Sequence, residues 1–150
     1  MRDKFNFDEV IKKLKAVKST VPALLANDTK NYFVKSFNSE SWDGKKWKQV
    51  DRRVPGTKSY KSSKKSARTS HILVRSGRLR RAVANSLKSA TFEKIQFEVN
   101  VPYAQVHNDG LRAGRGAGFM MPRRRFMGDT KELRRLQRKR LNDEIKKAFK

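Results

Sequence analysis

Cysteine is absent from the 150-residue sequence, which excludes disulfide bonds, thiolate metal sites and a cysteine nucleophile. Histidine occurs only at His71 and His107, and neither belongs to a cluster with the spacing of a metal site. The pair His107-Asn108 is superficially similar to part of a nuclease motif, but the further ligands of that motif are missing. Carboxylates are scarce, and no serine lies in a nucleophile-elbow context. We therefore expect no catalytic residue, no metal, no cofactor and no enzymatic activity.

Long apolar runs are also absent. No window approaches the ~20 apolar residues of a membrane-spanning helix, and no run of signal-peptide length follows the amino terminus. We expect a soluble, unprocessed protein made inside the cell, without a membrane partner. Binding to a membrane surface is the least supported hypothesis, because the basic amphipathic helices carry no Trp or Phe along a dedicated lipid face.

Acidic residues are few, since 38 Lys and Arg stand against 14 Asp and Glu, a formal net charge of +24. The excess of positive charge is concentrated in two segments of the chain. Residues 51–81 hold eleven basic and one acidic residue, and 112–150 hold fourteen and four, whereas 82–111 are nearly neutral. Like charges at this density repel until a polyanion neutralises them, so we expect an acidic partner, with phosphate as first candidate. A lysine-rich surface that serves only solubility is the alternative.

The length predicts a single domain over residues 1–150. Apolar periodicity predicts helices at 8–19, 21–38, 77–87 and 129–149. Pro22 separates the first two, and Asp129 or Thr130 caps the last. Alternation over 95–101 predicts a strand, with a weaker partner strand at 88–92.

The connections are rich in turn-forming and basic residues. Trp42 and Trp47 flank an Asp-Gly turn, which indicates a tight connection pinned to the core, with base stacking as a less favoured alternative. Residues 52–70 hold too few apolar side chains to offset their ordering entropy and predict a mobile basic loop. That loop is either a tolerated insertion or an arm that orders on a polyanion or a neighbouring subunit. Residues 110–118 predict a flexible glycine-rich loop, without the sequence context of a phosphate-binding loop.

Four segments resemble, in order and spacing, the phage virion morphogenesis family, the Mu-type tail completion proteins. These signature segments, first to fourth, are 37–50, 72–81, 102–110 and 121–128. The residues that carry the resemblance are Trp47, Ser76, Gly77, Leu79, Tyr103, Ala104, His107, Gly110, Pro122 and Phe126. The basic stretch 57–69 and the extra arginines of 123–125 depart from the family pattern.

The signature segments have a physical interpretation beside the resemblance. Gly77 and Gly110 are expected to supply backbone freedom at turns, and Tyr103 and Phe126 to fill core positions. The signatures therefore indicate a fold and its interfaces, not an active site.

The resemblance implies an α+β subunit in which N-terminal helices and a long C-terminal helix pack on a small antiparallel β-sheet, with long basic loops. It implies a structural protein of the virion, assembled in the host cytoplasm, that forms a homo-oligomeric ring of six or twelve subunits. The ring would lie at the neck, beside the tail terminator or tube and the head connector, around the packaged DNA.

Within such a ring, two sets of residues are the candidate contacts. The candidates for non-specific DNA contact in the lumen are Arg112, Arg115, Lys58, Lys61, Lys64 and Lys65. The candidates for the interface with a neighbouring subunit or ring are Arg123, Arg124, Arg125, Arg134, Arg135 and Arg138. A small basic DNA- or RNA-binding protein without catalytic activity is the alternative function.

Overall fold

The computed structural model describes residues 6–150, so the first five residues of the predicted domain lie outside the described part. Within that range the helices are α1 Phe7–Ser39, α2 Lys58–Ser62, α3 Lys65–Thr69, α4 Arg78–Ala84, α5 Ala104–Asp109 and α6 Lys131–Ala148. The strands are β1 Ser41–Trp42, β2 Lys45–Lys46, β3 Leu87–Ala90, β4 Ile95–Phe97, β5 Arg112–Ala113 and β6 Phe119–Met120. They pair in chain order as three antiparallel two-stranded sheets, and the predicted α+β class is confirmed.

The N-terminal helix α1 is continuous, so the predicted break at Pro22 is wrong. Ser19 and Thr20 do not cap a second helix, because their hydroxyls donate to the carbonyl of Ala16 at 2.9 and 3.0 Å. Val21 and Pro22 are buried, and α1 packs against α4 and α6. This packing holds the two halves in line although proline removes one helical hydrogen bond.

The core lies where the second half of α1 meets the signature segments. Phe37 is fully buried, and its ring lies 5.8 Å from Trp47 and 5.3 Å from Phe126. Trp42 and Trp47 are each 8% exposed and flank the β1–β2 turn, in which Asp43 and Gly44 have positive φ of 50° and 76°. Positive φ at both positions is typical of a tight hairpin. Both tryptophans are thus anchors of the core.

The basic segment predicted as a loop contains secondary structure. A short 3-10 helix at Asp51–Arg53, followed by α2 and α3, occupies most of residues 52–70. Thr57 caps α2, because its hydroxyl oxygen accepts the backbone N–H of Tyr60 at 3.1 Å. The mobility of this segment stays a prediction.

Helices α4 and α6 and strands β3 and β4 agree with the predictions in type and differ at their ends, whereas helix α5 and strands β5 and β6 were not predicted. The helix predicted at 77–87 is α4, which ends three residues earlier because β3 begins at Leu87. The strand predicted at 95–101 is β4, which ends at Phe97, and β3 is its partner. The glycine-rich segment forms the β5–β6 hairpin. Thr130 caps α6, since its Oγ1 accepts the N–H of Leu133 at 3.0 Å.

Candidate interaction surfaces

The third and fourth signature segments are joined by backbone hydrogen bonds that Asn108 organises. Asn108 Oδ1 accepts the N–H groups of both Phe126 and Met127, at 3.0 and 3.1 Å. The N–H of Arg124 donates to the carbonyl of His107 at 2.8 Å. The sequence analysis named Asn108 only in a nuclease-like pair with His107 and missed this structural role. One side chain therefore fixes how the two segments lie against each other.

Gly110 ends α5 with a φ of +73°, as its predicted role at a turn requires. A Cβ at this position would lie 2.9 Å from Cβ of Arg123 and 3.1 Å from its Cα and N. Glycine is thus needed for both the left-handed conformation and the close approach of the fourth segment. Trp47 completes the junction, because its Nε1 donates to the carbonyl of Arg125 at 2.8 Å.

The predicted core roles of two aromatic residues have opposite outcomes. Phe126 is buried at 1% exposure, as predicted. Tyr103 is 39% exposed, so its predicted core position is wrong. Ala104 occupies the buried position beside it, and the ring of Tyr103 instead lies edge-on to His107, 6.0 Å away, at the surface. An exposed aromatic ring of this kind suits contact with a ligand or a partner.

The second signature segment positions α4 over the core. Leu79 is 2% exposed, and Gly77 precedes the helix with a φ of +70°. Ser76 is exposed, and its Oγ accepts the N–H of Arg78 at 3.4 Å. The predicted backbone role of Gly77 is therefore confirmed.

Glu40 holds both ends of the basic segment against the core. Its carboxylate accepts two hydrogen bonds of 2.8 Å from the Arg53 guanidinium and one of 2.8 Å from the N–H of Ile72. His71 Nδ1 lies 3.1 Å from the same carboxylate. Burial raises the pKa of Glu40, but the hydrogen bonds of Arg53 and Ile72 outweigh burial and bring it to about 2. The Glu40 carboxylate is thus ionised while it bonds to Arg53 and Ile72 at the two ends of the basic segment.

Arg52, next in the chain to Arg53, joins the start of the basic segment to its far end by hydrogen bonds. Its Nε donates to the carbonyl of Ala67 at 2.8 Å and its Nη2 to the carbonyl of His71 at 3.2 Å. Neither Glu40 nor Arg52 was singled out from the sequence, because a single charge near a helix end or inside a basic loop has no distinguishing pattern.

A groove of about 1060 Å³ separates residues 48–70 from residues 119–122, and a pocket of about 360 Å³ adjoins it. Both are lined by Val50, Arg52, Arg75 and Arg124. The two cavities thus share a wall, and together we call them the arginine groove. It brings together parts of the basic segment, the β5–β6 hairpin and the second and third signature segments, including Ser76, Leu79, Tyr103 and His107.

The charges in the arginine groove repel one another. Burial, with the charges of Arg53 and Arg75, lowers the pKa of Arg52. Burial and the charge of Arg52 lower the pKa of Arg124, and burial and Arg124 in turn lower the pKa of His107. These shifts have the sign expected for cations held together with too few counter-charges.

The predicted DNA contacts are all exposed, but they do not form one group. Lys58, Lys61, Lys64 and Lys65 lie on or next to α2 and α3, and Lys64 lines the arginine groove. Arg112 and Arg115 belong to the β5–β6 hairpin, where the Arg112 guanidinium donates to the carbonyl of Ala117.

Among the predicted interface residues, Arg124 needs correction. It is 5% exposed, and its guanidinium donates to the carbonyls of Lys48 and Gln49 at 3.0 and 3.4 Å. Its side chain therefore fixes the chain within the subunit. Arg125 is half-buried and donates to the carbonyl of Met127 at 3.2 Å. The remaining candidates are exposed, namely Arg123, Arg134, Arg135 and Arg138.

Within residues 6–150, no group of three or more His, Asp or Glu side chains is placed to hold a metal ion. Over the same residues, no helix has the length and apolar character needed to cross a membrane.

The comparison with family models gives one result over nearly the whole chain. The model of the phage virion morphogenesis family matches residues 6–149. The chain belongs to this family. Nothing matches it among curated proteins or solved structures. Membership of the phage virion morphogenesis family gives the protein a role in virion assembly and associates it with the virion.

Proposed function

We propose that this member of the phage virion morphogenesis family is a non-enzymatic subunit of a ring at the head-proximal end of the tail. There it joins the tail to the head connector and surrounds the DNA path. The observation that carries the proposal is the family match over residues 6–149.

The distribution of exposed charge supports a position beside DNA. The six predicted lumen cations, on residues 58–65 and on the β5–β6 hairpin, are exposed, and none forms an ion pair within residues 6–150. Cations without acidic partners among the described residues are available to phosphates, whose neutralisation releases counterions. A ring that surrounds the packaged DNA gives these charges a use.

Exposed apolar side chains support assembly into an oligomer. Ile11 and Leu14 are 47% and 49% exposed on one face of α1, and Leu136 is 40% exposed on α6. Ring contacts would bury apolar surface of this kind. A +24 subunit needs such contacts, because its net charge opposes self-association.

Disruption of the gene in a phage that carries it tests the proposal. We expect separate heads and tails by negative-stain electron microscopy, and joined, infectious particles when the wild-type gene is supplied on a plasmid. Intact, infectious particles from the disrupted genome contradict the proposal. Mass measurement of the purified protein, alone and with isolated tails, is expected to show rings of six or twelve subunits or tail-bound protein.

The net charge of +24 favours one other function, a small DNA- or RNA-binding protein outside the virion. Under that hypothesis the protein stays monomeric and binds nucleic acid with an affinity that falls about 10³–10⁵-fold between 50 and 200 mM salt, for 6–10 phosphate contacts. Because the charge gives some nucleic-acid binding under both hypotheses, attachment to tails is the result that separates them.

A further inference from the structure

The residues that line the arginine groove are strongly unbalanced in charge. The cations are Lys48, Arg52, Lys64, Arg75 and Arg124. Among the described residues, Asp51 is the only carboxylate in the lining. Beside burial, the charge of Arg75 lowers the pKa of Arg52 and the charge of Arg52 lowers the pKa of Arg124, so a negatively charged ligand would relieve this repulsion. The groove therefore suits an anionic ligand.

The walls of the same groove are apolar in two places. Phe119, Met120, Met121 and Pro122 form one wall of the larger part. Leu73, Leu79 and Tyr103 line the adjoining pocket. A ligand that fills the groove must therefore offer apolar side chains together with negative charge, which is the combination found in an acidic peptide segment.

The position of the cations also favours a peptide over a DNA duplex. Arg124 is buried in the floor of the groove and Arg52 is half-buried beside it. The phosphates of a duplex lie on the outside of a rod, so they meet protruding side chains such as those of Lys58 and Lys61 before any group on the floor of a groove. An extended peptide can enter the groove and bring its carboxylates to Arg52 and Arg75, close to the buried charge of Arg124.

We propose that the arginine groove binds an acidic peptide segment of another protein, with carboxylates at Arg52 and Arg75, attracted also by the buried charge of Arg124, and an apolar side chain in the pocket beside Tyr103. A second copy of this chain does not supply such a segment, because no ten consecutive residues of its sequence contain four Asp or Glu. The proposal goes beyond the neck position and does not depend on it, since it concerns the chemistry of a partner.

The test uses the full chain and arrays of immobilised decapeptides. In the first array, each peptide carries four Asp or Glu and two apolar residues, at a spacing that varies between peptides. A second replaces the acids by Asn and Gln, and a third keeps the acids but lacks the apolar residues. The strongest binders are then measured in solution by fluorescence anisotropy, against the wild type and three variants. These are Arg75→Gln, Tyr103→Ala and the charge-matched control Arg138→Gln.

Arg75 and Tyr103 are exposed, and Arg75 has no hydrogen-bond partner within residues 6–150, so both groove variants are expected to keep the fold. Thermal unfolding checks this. We expect the first array to bind best, a rise in Kd of about tenfold for each groove variant, and about twofold or less for Arg138→Gln.

Three results overturn the proposal. The first is binding in proportion to acidic charge alone, with no gain from the apolar residues, or no binding to any array. The second is an equal rise in the Kd of the selected peptides for Arg75→Gln and Arg138→Gln. The third is displacement of a selected peptide by a 20-base-pair duplex whose own affinity Arg75→Gln lowers equally, which makes the groove a nucleic-acid site.

Discussion

Arg53 and Glu40, thirteen positions apart, form a two-point ion pair in which both N–O distances are 2.8 Å. The two side chains are only 18% and 19% exposed. The pair joins the end of α1 to the start of the basic segment, and the bond from Ile72 N–H to Glu40 joins the end of that segment to the same carboxylate. One acidic side chain thus closes a strongly basic stretch of chain, because charge-assisted hydrogen bonds are most effective when partly buried.

The substitution Glu40→Gln is expected to lower the free energy of unfolding by about 2–3 kcal/mol, because it leaves the Arg53 charge half-buried without its partner. Urea denaturation at neutral pH measures the change. The matched control is Glu9→Gln. The Glu9 carboxylate pairs with Lys13 on the exposed surface of α1, so its loss should lower the free energy of unfolding far less. Equal effects of the two substitutions contradict the role of Glu40.

Stability should also depend on pH through Glu40. Its folded-state pKa of about 2 lies below the ordinary value of 4.5, so the stabilisation is complete above pH 4.5 and is lost as the pH falls towards 2. We expect the difference in unfolding free energy between wild type and Glu40→Gln, about 3 kcal/mol at most, to shrink over this window. A difference that stays constant from pH 5 to pH 2.5 argues against the assignment.

Asn108→Ala should destabilise the protein by about 2–4 kcal/mol, because it leaves two partly buried backbone N–H groups without an acceptor. Asn108→Asp keeps an acceptor oxygen in place and should be less destabilised than Asn108→Ala, although it replaces the Nδ2 donor to Asp109 at 2.8 Å by a second carboxylate. Chemical denaturation of both variants distinguishes loss of the acceptor from loss of side-chain packing, for which the aspartate variant is the control.

Gly110→Ala should be more damaging than Gly116→Ala. Both glycines have positive φ, +73° and +60°, so both substitutions carry the strain of a left-handed residue, about 1–2 kcal/mol. Only at Gly110 does the added Cβ meet a neighbour, since Arg123 lies within 3.1 Å there and nothing lies within 4 Å of Gly116. Thermal unfolding of the two variants should rank them in this order, and similar values for both remove the packing explanation.

Replacement of the four lysines in residues 58–65 by glutamine should weaken DNA binding and its dependence on salt. The slope of log K against log salt should fall by about 0.9 for each phosphate that the protein no longer neutralises. A control of equal charge replaces the exposed lysines Lys12, Lys15, Lys35 and Lys131. Filter binding of a duplex at several salt concentrations gives both slopes, and equal slopes show that the lysines of residues 58–65 have no special contact with DNA.

The sequence predicted the elements whose stability is local. The apolar spacing of α6, with Thr130 at its cap, and the Asp-Gly turn between two tryptophans were both read correctly, because capping and turn chemistry depend on near neighbours. The break at Pro22 was predicted from the same local rules and was wrong, since the contacts of α1 with α4 and α6 lie far along the chain.

In the candidate site, too, some features follow from the sequence and others only from contacts between residues distant in the chain. The excess of positive charge, its concentration in two segments and the family to which the four signature segments belong are properties of the sequence alone. Which of these cations reach the surface is decided by the tertiary structure. Arg124 and its neighbour Arg123 look alike in the sequence, but only Arg124 turns inward, to the carbonyls of Lys48 and Gln49 more than seventy positions away. Folding alone brings Arg52, Arg75 and Arg124 together, because burial and hydrogen-bond partners are decided by residues that are distant in the chain.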